Sequence, residues 1–205
     1  ELNPAQLEAV CFNDGPLLVI AGAGSGKTKT LTYRVARLVS EGVNPNSILL
    51  LTFTRKAAQE MLRRATHILD SRCQNVSGGT FHSFANLILR KYAANLGYAE
   101  NFTIMDRTDA EDLIAMIRKE LDYGKLDKRF PKKSTIMNVL SKAINTSRPV
   151  DTILAKEYPQ FIDFDQEILR IAALYSERKK VMQLLDYDDL LVKLAEQGAI
   201  IATQD

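Results

Sequence analysis

Between positions 17 and 40 an apolar run, a glycine-rich turn and a helical pattern follow one another directly, and this junction constrains the fold more than any other segment. Residues 17–21 (LLVIA) are apolar throughout, which predicts a buried parallel strand. Leu31, Val35, Leu38 and Val39 then recur at helical spacing, with Gly42 as the stop. Between the two lies Gly22-Ala23-Gly24-Ser25-Gly26-Lys27-Thr28. Gly24 and Gly26 allow backbone N–H groups to close around phosphate oxygens without a Cβ in the way. The following helix aims its positive N-terminus at the same anion. Ala23 and Ser25 complete the cradle, Lys27 is placed to bridge the β- and γ-phosphates, and the Thr28 hydroxyl to hold Mg2+. Such loops carry a glycine six positions before the lysine, where this chain has Ala21. The competing reading is a tight strand-to-helix turn that happens to contain Lys-Thr. By itself the loop would serve a motor, a small-molecule kinase or a GTPase.

The next 55 or so residues alternate in the same manner. Residues 48–51 form a second apolar strand, and Thr54 precedes a helix to about Leu69 with Ala57, Ala58, Met61, Leu62 and Ala65 on one face. A short strand and turn at 75–79 leads into a helix from about Phe81 to Asn95, stopped at Gly97. Alternating strands and helices with short connections predict an α/β parallel sheet. The pattern then becomes helical. Thr108-Asp109-Ala110-Glu111 reads as a capping box for a helix ending at Gly124, and Ser134 as the cap of a helix carrying Ile136, Val139, Leu140, Ala143 and Ile144. Residues 164–185 read as one long helix and 186–197 as another, stopped by Gly198, with a last strand at 199–202.

Composition narrows the class. The chain has 205 residues, 46% hydrophobic and 25% charged, ordinary for a soluble globular protein. No apolar run approaches the ~20 residues of a membrane span, and the first twenty residues lack the basic start of a signal peptide. Cys11 and Cys73 sit in no metal or redox spacing and read as small, at least half-buried side chains. A reducing, cytoplasmic location is therefore expected. A net charge of +2 conceals a basic block at 124–148 (Lys125, Lys128, Arg129, Lys132, Lys133, Lys142, Arg148 against Asp127). On charge alone this block is a solvated loop and helix face.

Four further segments separate the candidate classes. Leu2-Asn3-Pro4-Ala5-Gln6-Leu7-Glu8-Ala9-Val10 resembles the glutamine motif that opens UvrD/Rep/PcrA-type superfamily 1 DNA helicases. Thr52-Phe53-Thr54-Arg55-Lys56-Ala57-Ala58-Gln59-Glu60-Met61 is similar to motif Ia of that family, and Gly79-Thr80-Phe81-His82-Ser83-Phe84 to motif Ib. Leu185-Asp186-Tyr187-Asp188-Asp189-Leu190-Leu191 resembles the segment where the family's chain returns from a helical insertion. With the phosphate loop, these segments stand in family order and spacing across essentially the whole chain.

The resemblance implies a P-loop RecA-like parallel sheet, incomplete here, with an all-helical inserted subdomain. Residues 1–89 would be the N-terminal part of ATP-binding domain 1A, 90–185 the helical subdomain 1B, and 186–205 the return toward 1A. It implies an ATP-dependent DNA helicase acting in DNA repair or replication, with ATP and Mg2+ as ligands, single-stranded DNA and single/double-strand junctions as partners, and a monomer as the favoured state. Gln6 and Lys29 would join the loop in binding ATP, Gln6 by offering both a donor and an acceptor to adenine. Thr52, Phe53, Arg55, Thr80, His82 and Ser83 would contact DNA, with Phe53 stacking on a base. Read without the family, Phe53 is a core residue and His82 a structural one. The resemblance also assigns the basic block to DNA phosphates, and Asp186, Asp188 and Asp189 to packing and capping rather than metal binding.

Besides Ala21, two positions and one missing segment depart from the family pattern. Lys29 stands for its usual Arg, and Arg55 for the usual Asn of motif Ia. After Asp189 nothing matches the Asp-Glu-x-Gln-Asp segment that supplies a magnesium-binding Asp and a catalytic Glu, and Thr203-Gln204-Asp205 is no substitute. Phosphoryl transfer needs metal, base and arginine gathered around the transition state. The expectation is an N-terminal part of such a motor that binds without turnover. An AddA/RecB-like helicase-nuclease subunit, a P-loop small-molecule kinase and a DNA- or protein-binding module with a vestigial loop are the alternatives.

Overall fold

A computed structural model describes residues 1–13, 15–123 and 129–202, with side chains described through residue 198. It divides into two compact units, Glu1–Phe84 and Ala85–Asp205.

In the first unit, α1 (Pro4–Cys11) begins with a reciprocal capping box. Asn3 Oδ1 accepts from the Gln6 N–H at 2.8 Å, Gln6 Oε1 accepts from the Asn3 N–H at 3.0 Å, and Pro4 occupies the first turn, where its missing N–H is harmless. Helix α2 (Lys27–Ser40) buries Val35, Ala36 and Val39. From its other face Arg34 donates to Ala9 O at 2.8 Å and Phe12 O at 2.6 Å, while Arg37 donates to Val10 O at 2.8 Å. These guanidiniums satisfy carbonyls that the C-terminal end of α1 leaves unpaired. Strand β1 (Leu49–Thr52), helix α3 (Arg55–Ile68) and strand β2 (Ser77–Thr80) form a parallel β-α-β unit in register from Leu49↔Ser77 to Thr52↔Thr80. Thr54 caps α3 as expected, accepting from the Ala57 N–H at 3.1 Å. Leu62 packs closely over Gly78, where a Cβ would lie 2.6 Å from Leu62 Cδ1 and oblige that side chain to shift. The core between these elements is Val35, Val39, Leu50, Met61, Ala65, Cys73 and Val76. Cys73 is buried but Cys11 is exposed, contrary to its expected half-burial, because it ends α1 at the surface.

The segment before the glycine loop differs from expectation. Residues 17–21 form no strand, and Leu18 and Ile20 are 83% and 90% exposed. A strand needs a neighbour to satisfy its amides, and among the described residues none pairs with this segment. The apolar run expresses a preference for burial without containing the partner that would provide it.

The second unit takes in α4 (Phe81–Lys91) from Ala85 onward, then β3 (Thr103–Ile104), α5 (Arg107–Glu120), α6 (Lys133–Thr146), α7 (Val150–Glu157), α8 (Asp165–Val181), β4 (Leu184–Leu185) and α9 (Tyr187–Ala202). Ile114, Ile117, Ile136, Leu140, Ile153, Leu154, Ile168 and Ile171 lie in one core. Several boundaries move. Asp106, a stronger cap than Thr108, opens α5 by accepting from the Asp109 N–H at 2.9 Å. Helix α6 starts at Lys133 without a side-chain cap, so Ser134 lies inside it, and burial of Ile136, Met137, Val139 and Leu140 holds the helix. The long helix predicted over 164–185 ends at Val181. Gln183 adopts φ 56°, and Leu184–Leu185 then pairs in parallel with Thr103–Ile104, a partner that periodicity cannot detect. Helix α9 runs through Gly198 to Ala202, replacing the expected strand at 199–202, since a helical glycine costs only about 1 kcal/mol. The expected helix end at Gly124 and the tail 203–205 lie outside the described residues.

Candidate functional site

Both sets of sequence-selected polar residues lie in the first unit. In the loop, Gly24 and Gly26 take φ values of 76° and 84°, the left-handed region that glycine enters without a Cβ clash. Gly26 is the N-cap of α2 and supplies no side-chain acceptor, so the N–H groups of Lys27, Thr28 and Lys29 open the helix with no intrahelical partner. Ser25 Oγ closes the turn on Gly22 O at 2.7 Å. Lys27 folds back over the loop, its Nζ donating to Ala21 O at 2.9 Å and Gly22 O at 2.6 Å. Lys27, Thr28 and Ala23 are all solvent-exposed.

Gln6 joins this loop from α1. Its Nε2 donates to Ser25 O at 2.9 Å while its Oε1 takes the Asn3 N–H, so both ends of the amide are engaged within the protein. A Cβ on residue 26 would lie 2.6 Å from Gln6 Nε2. Glycine is therefore favoured there for its backbone angle, and a Cβ would also push the Gln6 amide away from the loop. Lys29 does not join the group. Its ammonium donates to Glu1 O and lies 5.9 Å from the Tyr33 ring centroid.

The second set gathers where β1 and β2 end, at the carboxyl edge where open α/β sheets bind ligands. Phe53 is 94% exposed, which rejects the core reading of that residue. Its ring lies 6.0 Å from that of Phe81, tilted by 50°. Arg55 is exposed at the first position of α3. Thr52 is buried, its hydroxyl donating to Thr54 O at 2.7 Å, so it shapes the turn after β1. Thr80 and Ser83 close on each other: Ser83 Oγ accepts from the Thr80 N–H at 2.9 Å and Thr80 Oγ1 accepts from the Ser83 N–H at 3.1 Å, an arrangement that starts α4. His82 is half-buried.

Sequence reasoning passed over Phe81, Arg34 and Arg37. The signal for Phe81 was the Thr-Phe pair repeated at 52–53 and 80–81, and for the arginines their i, i+3 spacing on one face of α2.

In the second unit the acidic run resolves into an ion cluster. Lys179, 5% exposed, donates to Asp186 Oδ2 at 2.7 Å and Asp189 Oδ2 at 2.6 Å, and Tyr175 Oη donates to Asp186 at 2.9 Å. Asp186 and Asp189 also cap the first turn of α9 reciprocally, at 2.9 and 3.0 Å. Burial opposes ionisation of Asp186, but the Lys179 ammonium and these hydrogen bonds outweigh it and hold its carboxyl below the ordinary range. Burial and then the Asp186 charge push Asp189 above it. Asp188 accepts from Asn145 Nδ2 at 2.8 Å. No group of three or more potential metal ligands occurs among the described residues.

The basic block is less unbalanced than its charges suggest. Lys133 pairs with Asp112 and Lys142 with Glu157, while Lys132 and Arg148 are exposed. Lys125 and Lys128 lie outside the described residues, as does Asp127. No helix among the described residues is long and apolar enough to cross a membrane.

Residues 2–203 match the UvrD/REP helicase N-terminal domain. The chain is 41% identical over 196 residues to the ATP-dependent DNA helicase PcrA of Bacillus subtilis, covering 93% of this chain and 25% of that protein. It is 38% identical to PcrA of Staphylococcus epidermidis over 192 residues and 36% identical to PcrA of Leuconostoc citreum over 197, in each case with 93% of this chain covered. It thus spans about a quarter of the length of these relatives. A match over nearly the whole chain, with the glycine loop and the paired strand tips in family order, shows that this protein belongs to the UvrD/REP helicase family.

Proposed function

We propose that this chain is the ATP- and DNA-binding front of an ATP-dependent DNA helicase that translocates on single-stranded DNA and opens duplex at a single/double-strand junction. The observation that carries the reading is the pairing of an open phosphate cradle with an exposed aromatic ring at strand tips of the same unit. Residues 1–89 serve as the N-terminal part of domain 1A, 90–185 as subdomain 1B and 186–205 as the return. A cytoplasmic monomer fits this reading.

The cradle suits a triphosphate. Gly24 and Gly26 remove the Cβ atoms that would narrow it, the first-turn amides of α2 are unpaired inside the helix, and Lys27 brings an ammonium to the loop's own carbonyls. A triphosphate replaces those two carbonyls as the partner of Lys27, exchanging neutral acceptors for charged ones. Thr28, exposed beside Lys27, would hold Mg2+, which neutralises phosphate charge when bound. Gln6 selects adenine only if its amide releases Ser25 or Asn3, so base recognition is coupled to the shape of the loop. Lys29, turned toward Glu1 and Tyr33, stands at the edge of the nucleotide site rather than on the phosphates.

On the DNA side, Phe53 offers a stacking face, Arg55 a cation for the backbone, and Thr80, His82 and Ser83 a polar rim, while Thr52 supports the turn that presents Phe53. Single-stranded DNA binding by the Phe53→Ala and Lys27→Ala variants tests the reading. Phe53→Ala should weaken DNA binding by ~1–3 kcal/mol, and Lys27→Ala should abolish nucleotide binding. DNA affinity that ignores Phe53 would overturn it.

A further inference from the structure

We infer that Phe81 is a positioning residue of the DNA site, holding the Phe53 ring in the orientation that stacks on a base. This rests on the proposed role of Phe53 and extends it. Strands β1 and β2 are parallel, and their last registered pair is Thr52↔Thr80. The next residues, Phe53 and Phe81, therefore leave two adjacent strands side by side, at strands spaced by roughly 4.8 Å. Their rings meet with centroids 6.0 Å apart and planes 50° apart. That separation lies within the range of an interacting aromatic pair, with a tilt intermediate between stacked and edge-to-face. It is too close, and too far from parallel, for a base to enter between them, since each stacked layer needs at least about 3.5 Å on either side.

A base must therefore take the outer face of Phe53, leaving Phe81 behind it. Phe53 is 94% exposed, whereas Phe81 is 41% exposed and is anchored at the first position of α4, where the Thr80–Ser83 hydrogen bonds fix the chain. The anchored ring thus supports the exposed one. A ring on an exposed side chain samples several rotamers when nothing holds it, and each such freedom is lost on binding. With Phe53 still 94% exposed, its contact with Phe81 is slight and biases that freedom toward one orientation rather than abolishing it.

The test compares binding of an oligothymidylate with binding of an abasic oligonucleotide of equal length, by fluorescence anisotropy, for Phe53→Ala, Phe81→Leu, Phe81→Ala, Phe81→Tyr and the Phe53→Ala/Phe81→Ala double variant. Phe53→Ala should reduce the preference for bases over abasic sites about tenfold, within the range of one stacking contact. Phe81→Ala and Phe81→Leu should each reduce that preference severalfold and leave abasic binding unchanged, and Phe81→Tyr should restore it. Adding Phe81→Ala to Phe53→Ala should cost nothing further. If Phe53→Ala weakens thymidylate binding and Phe81→Ala does not, the support role fails while the DNA reading stands. If Phe53→Ala changes nothing, the DNA reading itself fails. If Phe81→Ala and Phe81→Leu lower both affinities equally, Phe81 is structural and the inference is overturned.

Discussion

Two polar clusters, one in each unit, treat their charges in opposite ways. Around Gly26 the loop's ammonium reaches only neutral carbonyls, the first-turn helix amides have no intrahelical partner, and the Phe53 ring directly after β1 is left 94% exposed. Around Lys179 the charges are buried, and each finds its partner within the unit: Lys179 takes two carboxylates, Tyr175 a third hydrogen bond, and the backbone of α9 the rest. In sequence both are short runs of functional-looking residues. The difference is whether a charge meets an opposite charge inside the protein: Lys27 reaches only neutral carbonyls at the surface, whereas Lys179 is buried against two carboxylates.

The largest expected effect falls on the closed cluster. Lys179→Met removes one cation from the buried Asp186 and the half-buried Asp189 and should cost ~3–5 kcal/mol in urea unfolding, whereas a loss below ~1 kcal/mol would mean the cluster behaves like a surface pair. Its pH dependence has two parts of opposite sign. Asp186, held low, contributes stability above the unfolded carboxylate pKa of about 4, and that contribution disappears as pH falls through its lower folded value. Asp189, pushed up, opposes folding while ionised, so its protonation on acidification toward about 4 adds stability. Urea midpoints should therefore hold or rise from neutral toward mildly acidic pH and then fall below about 4. In Lys179→Met the rise on acidification should steepen, because neither carboxylate keeps its cation.

A smaller loss is expected from Arg34→Ala. Hydrogen bonds from a charged group are worth ~1.5–3 kcal/mol, and this change leaves the carbonyls of Ala9 and Phe12 to water or to Arg37. Gly26→Ala comes next, at ~1–2 kcal/mol for an alanine held in the left-handed region, together with displacement of Gln6 from Ser25. It should lower nucleotide affinity more than Gly24→Ala, whose position has open space around a Cβ. The smallest stability change, within about 0.5 kcal/mol, is expected for Phe53→Ala, the variant for which the proposed function expects weaker DNA binding. Urea unfolding of the four variants orders these effects.

The parts of the fold legible in sequence were those written locally. Thr54 capping α3 and the stop at Gly42 needed only neighbouring residues. What the sequence misjudged depends on distant partners. Residues 17–21 read as a strand but have no pairing neighbour among the described residues, and Leu184–Leu185 read as helix because their partner, Thr103–Ile104, is far away in the chain. The left-handed turns of the glycine loop at Gly24 and Gly26 were legible because the chemistry of the proposed phosphate site dictates its residues. The exposure of Phe53 needed the family resemblance, since an aromatic after an apolar strand is more often core. Phe81 was visible in the repeated Thr-Phe pairs but acquires meaning only from the strand register.

The most direct test of the account is calorimetric titration of the protein and its Lys27→Ala variant with a non-hydrolysable ATP analogue, with and without Mg2+. Saturable binding that Mg2+ strengthens and Lys27→Ala abolishes, with the unfolding midpoint of the free variant unchanged, is the expected result. Equal binding by both proteins would contradict the assignment of the loop as the phosphate site.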